Sequence, residues 1–517
     1  MGADIQTEHF SAADHARFKR RLDEQLHALR EVLARPGFGV GVGARTLGAE
    51  LELCVIDEGG RAYPIADKLV AEAATPVITP EMGAFDIELS TPPVRLAGEP
   101  FSALRESMQT TVLQIRKLAE RHRARVVPIS ILPTLLREDF GEQAITDQPR
   151  YRALARGLQE ARGSAFEIAI EGEEQLHFAS FDAVAMEAAN TAFQVHVSTE
   201  PDEFAALFNA ASLLSGPVLA AAANSPTFLG KKLWHETRVA LFKQAGDDRP
   251  SGPDSDMAMP PRLNFGNGWV HDGAHELFME SVALHPTLIA ECSDEDAMAE
   301  VRAGKIPALH ELRLHHGTVW NWNRPVYDPT HGGSLRIELR ALPAGPSYDD
   351  MLANASFLVG AMLGLKESIG ELQRALPFAL AKQNFFLAAQ HGLDAQLAWP
   401  SAAGAPTHQT ARELLLGLLP AAHEGLAGAG VSAREREHYL GIFEARVRSG
   451  QTGAVWQRAM LASLHARGYR GYDALARMLD RYIDGFQSQR PVHAWTLEPE
   501  TLEPETRESD RGEGGDV

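Results

Sequence analysis

Cysteine is nearly absent from this chain: Cys54 and Cys292 are its two thiols in 517 residues. Two cysteines cannot form the disulfide framework of a small secreted protein, and neither has a second Cys or a His at metal-ligand spacing nearby. The N-terminal residues MGADIQTEHF also lack the basic and apolar segments of a secretory signal. We therefore expect a cytoplasmic protein.

Positive charge and long apolar runs are scarce too. Lys and Arg number 49 against 69 for Asp and Glu, which gives a formal net charge of −20. Because an average surface of this sign repels a phosphate backbone, we expect no nucleic-acid partner. No apolar run approaches the roughly 20 residues that span a bilayer, so we expect no membrane partner either. The longest, around residues 357–365, is interpreted as a buried helix.

The composition, 44% hydrophobic and 23% charged, is that of a folded protein with a sizeable core. Apolar residues at steps of three and four predict an amphipathic helix from about Ser11 to Arg35. Helical patterns also cover residues 101–121, 201–215, 348–375 and 411–419. Period-two alternation predicts strands over residues 48–57, 85–91, 191–198 and 334–341. Because these elements follow no regular βαβ repeat, we expect an α+β fold.

The pattern also suggests three parts of the chain. We predict a main domain over residues 1–391 that includes the N-terminal helix, and an almost entirely helical region over 392–490 packed against it. Residues 491–517 contain the immediate repeat TLEPE-TLEPE and few apolar side chains. We predict that they form an acidic, disordered tail.

The four predicted strands each carry a polar face. Side chains alternate across a strand, so each strand places one set of polar residues opposite its apolar residues. These sets are Glu50 and Glu52; Asp86 and Glu88; Gln194, His196 and Ser198; and Arg336, Glu338 and Arg340. Any one strand fits an ordinary antiparallel sheet with a solvated face. The combined set differs from such a face because it holds acids, one His and two Arg but no Lys.

If the strands share one sheet, Glu50, Glu52, Glu88 and His196 form a cluster of oxygen ligands with one imidazole. Such a cluster suits Mg²⁺ or Mn²⁺ in complex with a nucleotide. The arginines would then donate to phosphates or to a carboxylate substrate. A metal hydrolase built on His315-His316 is a weaker alternative, because adjacent histidines on a strand face apart.

Several segments, in order over about residues 40–465, resemble the second glutamate-cysteine ligase family of bacteria and plants. They are GAELEL (48–53), ITPEMGAFDIELSTPP (78–93), DQPRYRAL (147–154), AFQVHVS (192–198), AANSPTFLGKKLWHETRVALF (222–242) and HHGTVWNWNRP to SLRIELR (315–340). The resemblance implies a glutamine synthetase-like fold, in which an antiparallel sheet curves around a funnel-shaped active site and is covered by helices. It also implies a carboxylate-amine ligase that uses ATP with Mg²⁺ or Mn²⁺.

Carried over position by position, the resemblance implies a set of site residues. The metal ligands would be Glu50, Glu52, Glu81, Glu88, His196 and Glu338. The catalytic residues would be Glu52, Arg238 and Arg340, with Arg238 holding the amino-acid substrate or the acyl phosphate, and the nucleotide phosphates would contact Arg324, Arg336 and Arg340. Plainer roles stay open: surface ion pairs for Arg238 and Arg324, and a satisfied core position for His196. For Asp86 the structural role is favoured.

Two departures leave the substrates open. Gln194 stands where many members of the family carry a histidine, and the Pro-rich segment 246–262 departs where the family shapes its substrate pocket. The first hypothesis is joining of the γ-carboxylate of glutamate to cysteine through an acyl phosphate, with release of ADP and phosphate. The alternatives are a glutamate ligase for another amine and a non-catalytic nucleotide- or amino-acid-binding protein. We expect small-molecule partners, and homo-oligomerisation is left open.

Overall fold

The computed structural model describes residues 5, 7–39, 45–180, 183–250, 259–401 and 404–497. The strands in this part of the chain are β1 (Thr46–Asp57), β2 (Ile78–Pro80), β3 (Asp86–Ser90), β4 (Val94–Arg95), β5 (Ala124–Val127), β6 (Phe166–Glu171), β7 (Gln175–Ser180), β8 (Phe193–Thr199), β9 (Thr227–Phe228), β10 (Lys231–Lys232), β11 (Asn323–Asp328), β12 (Ser334–Leu339), β13 (Gln396–Pro400) and β14 (Pro406–Thr410).

The α-helices in the same part of the chain surround these strands. They are α1 (Ala12–Leu33), α2 (Ala66–Ala73), α3 (Pro100–Arg121), α4 (Pro149–Arg162), α5 (Ala183–Glu187), α6 (Phe204–Ala222), α7 (Thr237–Ala245), α8 (Ala274–Leu284), α9 (Ala297–Arg302), α10 (His310–His316), α11 (Tyr348–Leu365), α12 (Ile369–Ala375), α13 (Phe378–His391), α14 (Ala411–Gly428), α15 (Ala433–Ser449), α16 (Gly453–Ala466) and α17 (Gly471–Gln487). The predicted N-terminal helix is confirmed as α1. At its start, the side chains of Ser11 and Asp14 each accept a hydrogen bond from the other residue's backbone N–H, which is a capping box.

The central sheet contains all four predicted strands. Its order is β11-β12-β8-β1-β3-β2, and β4 and β5 pair with the two ends of β1. Every pairing in it is antiparallel. The alternate residues Leu47, Ala49, Leu51, Leu53 and Val55 of β1 are buried, and the sheet contacts α6 and α11. The predicted α+β arrangement is confirmed, and the polar residues of these strands are left on the other face.

Helix α6 is the most apolar element of the core. By length and composition alone, this helix of 19 residues could cross a membrane, but 89% of that stretch is buried inside the protein. Helices α11, α13 and α14 pack around it. The expectation that residues 357–365 form the longest apolar run is therefore wrong, although these residues do form a buried part of α11.

The C-terminal region differs from its prediction in two places. It contains the hairpin β13–β14 ahead of helices α14 to α17. Residues 491–497, assigned to the disordered tail, pack against the helices: Trp495 is 7% exposed and contacts Trp456 and Tyr482. Residues 498–517 lie outside the described residues. The division of the chain into domains stays a prediction.

The predicted helix over residues 348–375 is also interrupted. A 3₁₀ turn at Lys366–Ser368 separates α11 from α12. The buried guanidinium of Arg446 in α15 forms an ion pair with Asp350 of α11 at 2.7 Å. The second Asp350 carboxylate oxygen accepts a hydrogen bond from the Val492 backbone N–H. The C-terminal helices and residues 491–497 are thereby fixed to the core helix α11.

Candidate active site

The polar face of the central sheet forms one wall of a cavity of about 550 Å³. The strand register places Glu52 opposite Glu88 and His196 opposite Glu338. Arg324, on the edge strand β11, lies opposite Glu338 on its other side. Residues of α4, α5, α8 and α10 line the rest of the cavity. Side chains that are almost 300 positions apart in the chain therefore meet on one surface.

Six side chains of this wall form two groups with the geometry of cation sites. In the histidine triad, Glu50, His196 and Glu338, one ligand atom of each residue lies within 4.8 Å of the others. The same holds for the carboxylate triad, which consists of Glu52, Glu81 and Glu88. The His196 Nε2 atom is 3.2 Å from Glu50 Oε1, but neither ring nitrogen has a hydrogen-bond partner within the described residues. A buried imidazole in this position is available to a cation.

The carboxylate triad favours the protonated form of its acids when no cation is bound. Burial, reinforced by the charge of Glu81, raises the pKa of Glu52 to about 8. Burial also raises the pKa of Glu81 and holds that of Glu88 well above its ordinary range, where the charge of Glu50 adds to the effect. A divalent cation reverses this preference because it replaces the protons and compensates the charges.

The histidine triad has the opposite electrostatics. Burial opposes ionisation of Glu50, but the charge of His196 outweighs it and lowers the Glu50 pKa to about 2. Glu338 is buried as well, and the neighbouring Arg324 and Arg340 hold its pKa well below the ordinary range. These two carboxylates are ionised, and the protein itself supplies much of the compensating charge.

Three arginines extend the wall. Arg324 donates to both carboxylate oxygens of Glu338, with Nη2 3.1 Å from Oε1. Arg340 Nη1 donates to Gln194 Oε1 at 2.6 Å and to Glu338 Oε1 at 3.2 Å. Arg336 Nη1 donates to Asp328 Oδ2 at 2.9 Å. A guanidinium has five N–H donors, so each of the three retains donors for a further anion.

Comparison with known proteins identifies the family. The family model described as glutamate-cysteine ligase family 2 (GCS2) matches residues 46–477. The chain belongs to glutamate-cysteine ligase family 2. Among curated proteins, none matches.

A solved structure shares the fold of this glutamate-cysteine ligase family 2 member. A glutamate-cysteine ligase from Francisella tularensis, in complex with AMP, is 13% identical with a TM-score of 0.53, and the match covers 86% of this chain and 89% of that one. A bifunctional glutathione synthetase from Pasteurella multocida is 13% identical with a TM-score of 0.49, and the match covers 86% of this chain and 53% of that one.

The family determines the enzyme class. As a member of glutamate-cysteine ligase family 2, the chain is an ATP-dependent carboxylate-amine ligase. The predicted family, enzyme class and glutamine synthetase-like fold are confirmed. All six predicted metal ligands line the cavity, together with Arg324, Arg336 and Arg340.

Arg238 is the predicted site residue that the structure places elsewhere. It is 2% exposed and does not line the cavity. Its Nε donates to Glu236 Oε1 at 3.1 Å, its Nη2 donates to the Ala341 carbonyl, and its guanidinium lies over the Trp322 ring. Its burial and its ion pair with Glu236 contradict the alternative of a surface ion pair. The predicted contact with the substrate stays a prediction.

His315 and His316 also differ from their prediction. They lie at the end of helix α10 instead of on a strand. His315 Nε2 is 3.0 Å from the Ser281 carbonyl oxygen, and His316 Nδ1 is 3.2 Å from the Ser281 hydroxyl. Burial lowers the pKa of His315 to about 4. The other nitrogen of each ring, His315 Nδ1 and His316 Nε2, has no hydrogen-bond partner among the described residues. The hydrolase alternative has no support because the chain belongs to a ligase family.

Asp86 and the Pro-rich segment are the remaining positions for which the sequence gives an expectation. Asp86 is buried at the position paired with Cys54 and does not line the cavity, in agreement with a structural role. Within the segment 246–262, residues 251–258 lie outside the described residues. At its two ends, Arg262 and Asp248 form a buried ion pair at 2.9 Å.

Two cavity residues were missed from sequence. Arg150 is the second residue of α4 and lies inside the DQPRYRAL segment, whose resemblance to the family implies no role for it. Glu187 ends α5, and burial, with the charges of Glu81 and Glu52, holds its pKa well above the ordinary range. The motif was a usable signal for Arg150. No strand alternation or spacing points to Glu187.

Proposed function

We propose that this ligase joins the γ-carboxylate of glutamate to the amine of cysteine, or of a related compound, through an acyl phosphate. A carboxylate is a poor electrophile because resonance stabilises its carbonyl, and transfer of a phosphoryl group from ATP converts it into a reactive mixed anhydride. Attack by the amine then forms the amide and releases phosphate. The observation that supports this proposal is the pair of acidic triads beside three arginines on one wall.

The donor atoms of both triads fit Mg²⁺ or Mn²⁺. Hard divalent cations prefer carboxylate oxygens, and Mn²⁺ also accepts imidazole. We assign one cation position to the carboxylate triad and one to the histidine triad. Divalent cations bound there would neutralise the negative charge that the phosphates bring into the cavity.

The arginines are proposed to act on the transferred phosphoryl group. Its transition state spreads charge over three oxygens, so fixed donors that need no reorganisation lower the barrier. Arg340 and Arg324 are already held in place by Glu338. Arg150 has no ion-pair partner among the described residues and lines the same cavity, which suits it to bind a carboxylate of the amino-acid substrate.

The second step requires a neutral amine. A carboxyl group of raised pKa is a stronger base than an exposed one, and it can accept the proton that the amine loses. Glu187 lines the cavity, and burial, with the charges of Glu81 and Glu52, raises its pKa. Cations bound at the carboxylate triad would compensate these charges and leave Glu187 ionised, so we propose it as the proton acceptor. Both cysteines are free thiols, which agrees with the proposed reducing, cytoplasmic location.

The test is ADP release from Mg²⁺-ATP and glutamate, measured with each common amino acid and small amine in turn. One amine should stimulate release strongly, and Glu88→Gln should reduce that stimulated rate by at least about 100-fold. The matched control is Glu167→Gln, because Glu167 is exposed on β6 and lies outside the cavity. Full activity in Glu88→Gln would refute the metal assignment. Nucleotide binding without release for any amine would favour a non-catalytic protein instead.

A further inference from the structure

Gln194 connects the two acidic triads. Its side-chain Nε2 donates to Glu52 Oε1 at 2.8 Å, and its Oε1 accepts from Arg340 Nη1 at 2.6 Å. The same Arg340 nitrogen donates to Glu338 Oε1 at 3.2 Å. The residue is 3% exposed and lines the cavity. A continuous set of contacts therefore runs from the carboxylate triad to the histidine triad through one neutral amide.

The amide lies between Arg340 and Glu52, because each of them forms a hydrogen bond with one end of it. Arg340 forms its ion pair with Glu338 and, in the described structure, none with Glu52. The Glu52 carboxylate is also fixed from the other side, because its Oε2 accepts from the Ala192 backbone N–H at 2.7 Å. Opposite charges attract strongly in a buried setting. A direct pair with Arg340 would neutralise the carboxylate and leave it less charge for a cation.

We propose that Gln194 is a positioning residue, a neutral spacer that holds Arg340 away from Glu52 and keeps the carboxylate triad free to bind a divalent cation. The amide suits this position because it donates on the Glu52 side and accepts on the Arg340 side. An apolar side chain would leave both partners unsatisfied, and Arg340 would move onto Glu52. The inference rests on the proposed function, since it requires cation binding at the triad.

The experiment measures Mn²⁺ binding to the protein without nucleotide, from the electron paramagnetic resonance signal of the free ion. Gln194→Leu should weaken the binding of one Mn²⁺ by about tenfold. Gln194→Asn, which keeps the amide but is too short to reach both partners, should weaken it as well and serves if the leucine variant does not fold. The control is Gln457→Leu, because Gln457 is a fully buried amide that bonds to Asn224. It should leave Mn²⁺ affinity unchanged.

A second substitution separates the spacer role from a general loss of structure. Without Arg340 there is no cation to move onto Glu52, so Gln194→Leu combined with Arg340→Leu should bind Mn²⁺ as tightly as Arg340→Leu alone. Unchanged affinity in Gln194→Leu, or no relief from Arg340→Leu, would overturn the proposal. Absence of Mn²⁺ binding to the unmodified protein would overturn it together with the metal assignment. Mn²⁺ binding without turnover would refute only the proposed reaction. The Mn²⁺ affinities of the Gln194 and Arg340 variants would still support or overturn the spacer role.

Discussion

Glu52 links cation binding to pH. The pKa of Glu52 is about 8 in the folded protein, against an ordinary value of 4.5. Between these two pH values, the folded, cation-free protein keeps a proton that the unfolded chain releases. Through this group, stability falls as pH rises from about 4.5 to 8. A cation displaces the proton, so the rise in Tm on adding saturating Mg²⁺ should be larger at pH 8 than at pH 6. Thermal unfolding followed by circular dichroism measures it.

The control for this prediction is Glu52→Gln, which has no proton to exchange. It should show a smaller Mg²⁺ effect and a smaller change in that effect between the two pH values, with the remaining change due to Glu81 and Glu88, whose pKa values are also raised. An equal rise in Tm at pH 6 and pH 8 in the unmodified protein would contradict the raised pKa.

Single residues also show where sequence reasoning succeeds. The faces of Glu50, Glu52 and Glu88 were predictable because side-chain alternation is a local property of a strand. The burial of Arg238 was not predictable, because it lies on helix α7, whose orientation depends on packing that no local pattern contains. Glu187 was missed for the same reason: a short helix brings it to the cavity, and its neighbours there come from distant strands.

At the scale of elements, glycines fix the contact between α11 and α14. A Cβ atom added to Gly425 would lie 2.0 Å from the Gly360 carbonyl oxygen and 2.6 Å from the Gly364 nitrogen. These are backbone atoms and cannot rotate away. Gly425→Ala should therefore lower the free energy of unfolding by about 1–3 kcal/mol, as measured by urea denaturation.

The matched control lies on the same helix. A Cβ atom at Gly417 meets nothing within 4 Å, so Gly417→Ala should raise the free energy of unfolding by about 0.5–1 kcal/mol through the better helix propensity of alanine. Equal effects of the two substitutions would show that the helices are not in backbone contact.

Elements without a strong pattern of their own were the ones that the sequence did not predict. The β14 segment, PTHQT, has no apolar alternation and is largely exposed, so its strand conformation depends on pairing with β13. The break between α11 and α12 falls in a continuous helical pattern. In both cases tertiary contacts decide a conformation that local propensity leaves open.

At the scale of the whole molecule, the wall of the cavity depends on pairings between distant parts of the chain. Strand β8 lies between β1 and β12, although these two strands are separated by most of the chain. Alternation predicts each strand but not its neighbours, so the shared sheet followed from the family resemblance and not from spacing. The acidic side chains line one cavity because of that strand order.

The C-terminal residues 491–497 connect the helical region to this sheet. Trp495 packs edge-on against Trp456, with ring centroids 5.1 Å apart, and against Tyr482 at 5.4 Å. The Tyr482 hydroxyl donates to the Pro128 carbonyl at 2.9 Å, directly after strand β5 of the sheet. Trp495→Ala removes a large buried ring and should lower the free energy of unfolding by about 3–5 kcal/mol.

The same substitution should leave the KM for the proposed substrate glutamate unchanged, because Trp495 does not line the cavity. Leu497→Ala is the control: Leu497 is 37% exposed, so its change should stay within about 0.5 kcal/mol. Urea denaturation measures both variants, and ADP release gives the KM. Identical unfolding midpoints for the two would show that this segment does not stabilise the fold. A raised KM in Trp495→Ala would show instead that the segment influences the cavity through Tyr482 and the sheet.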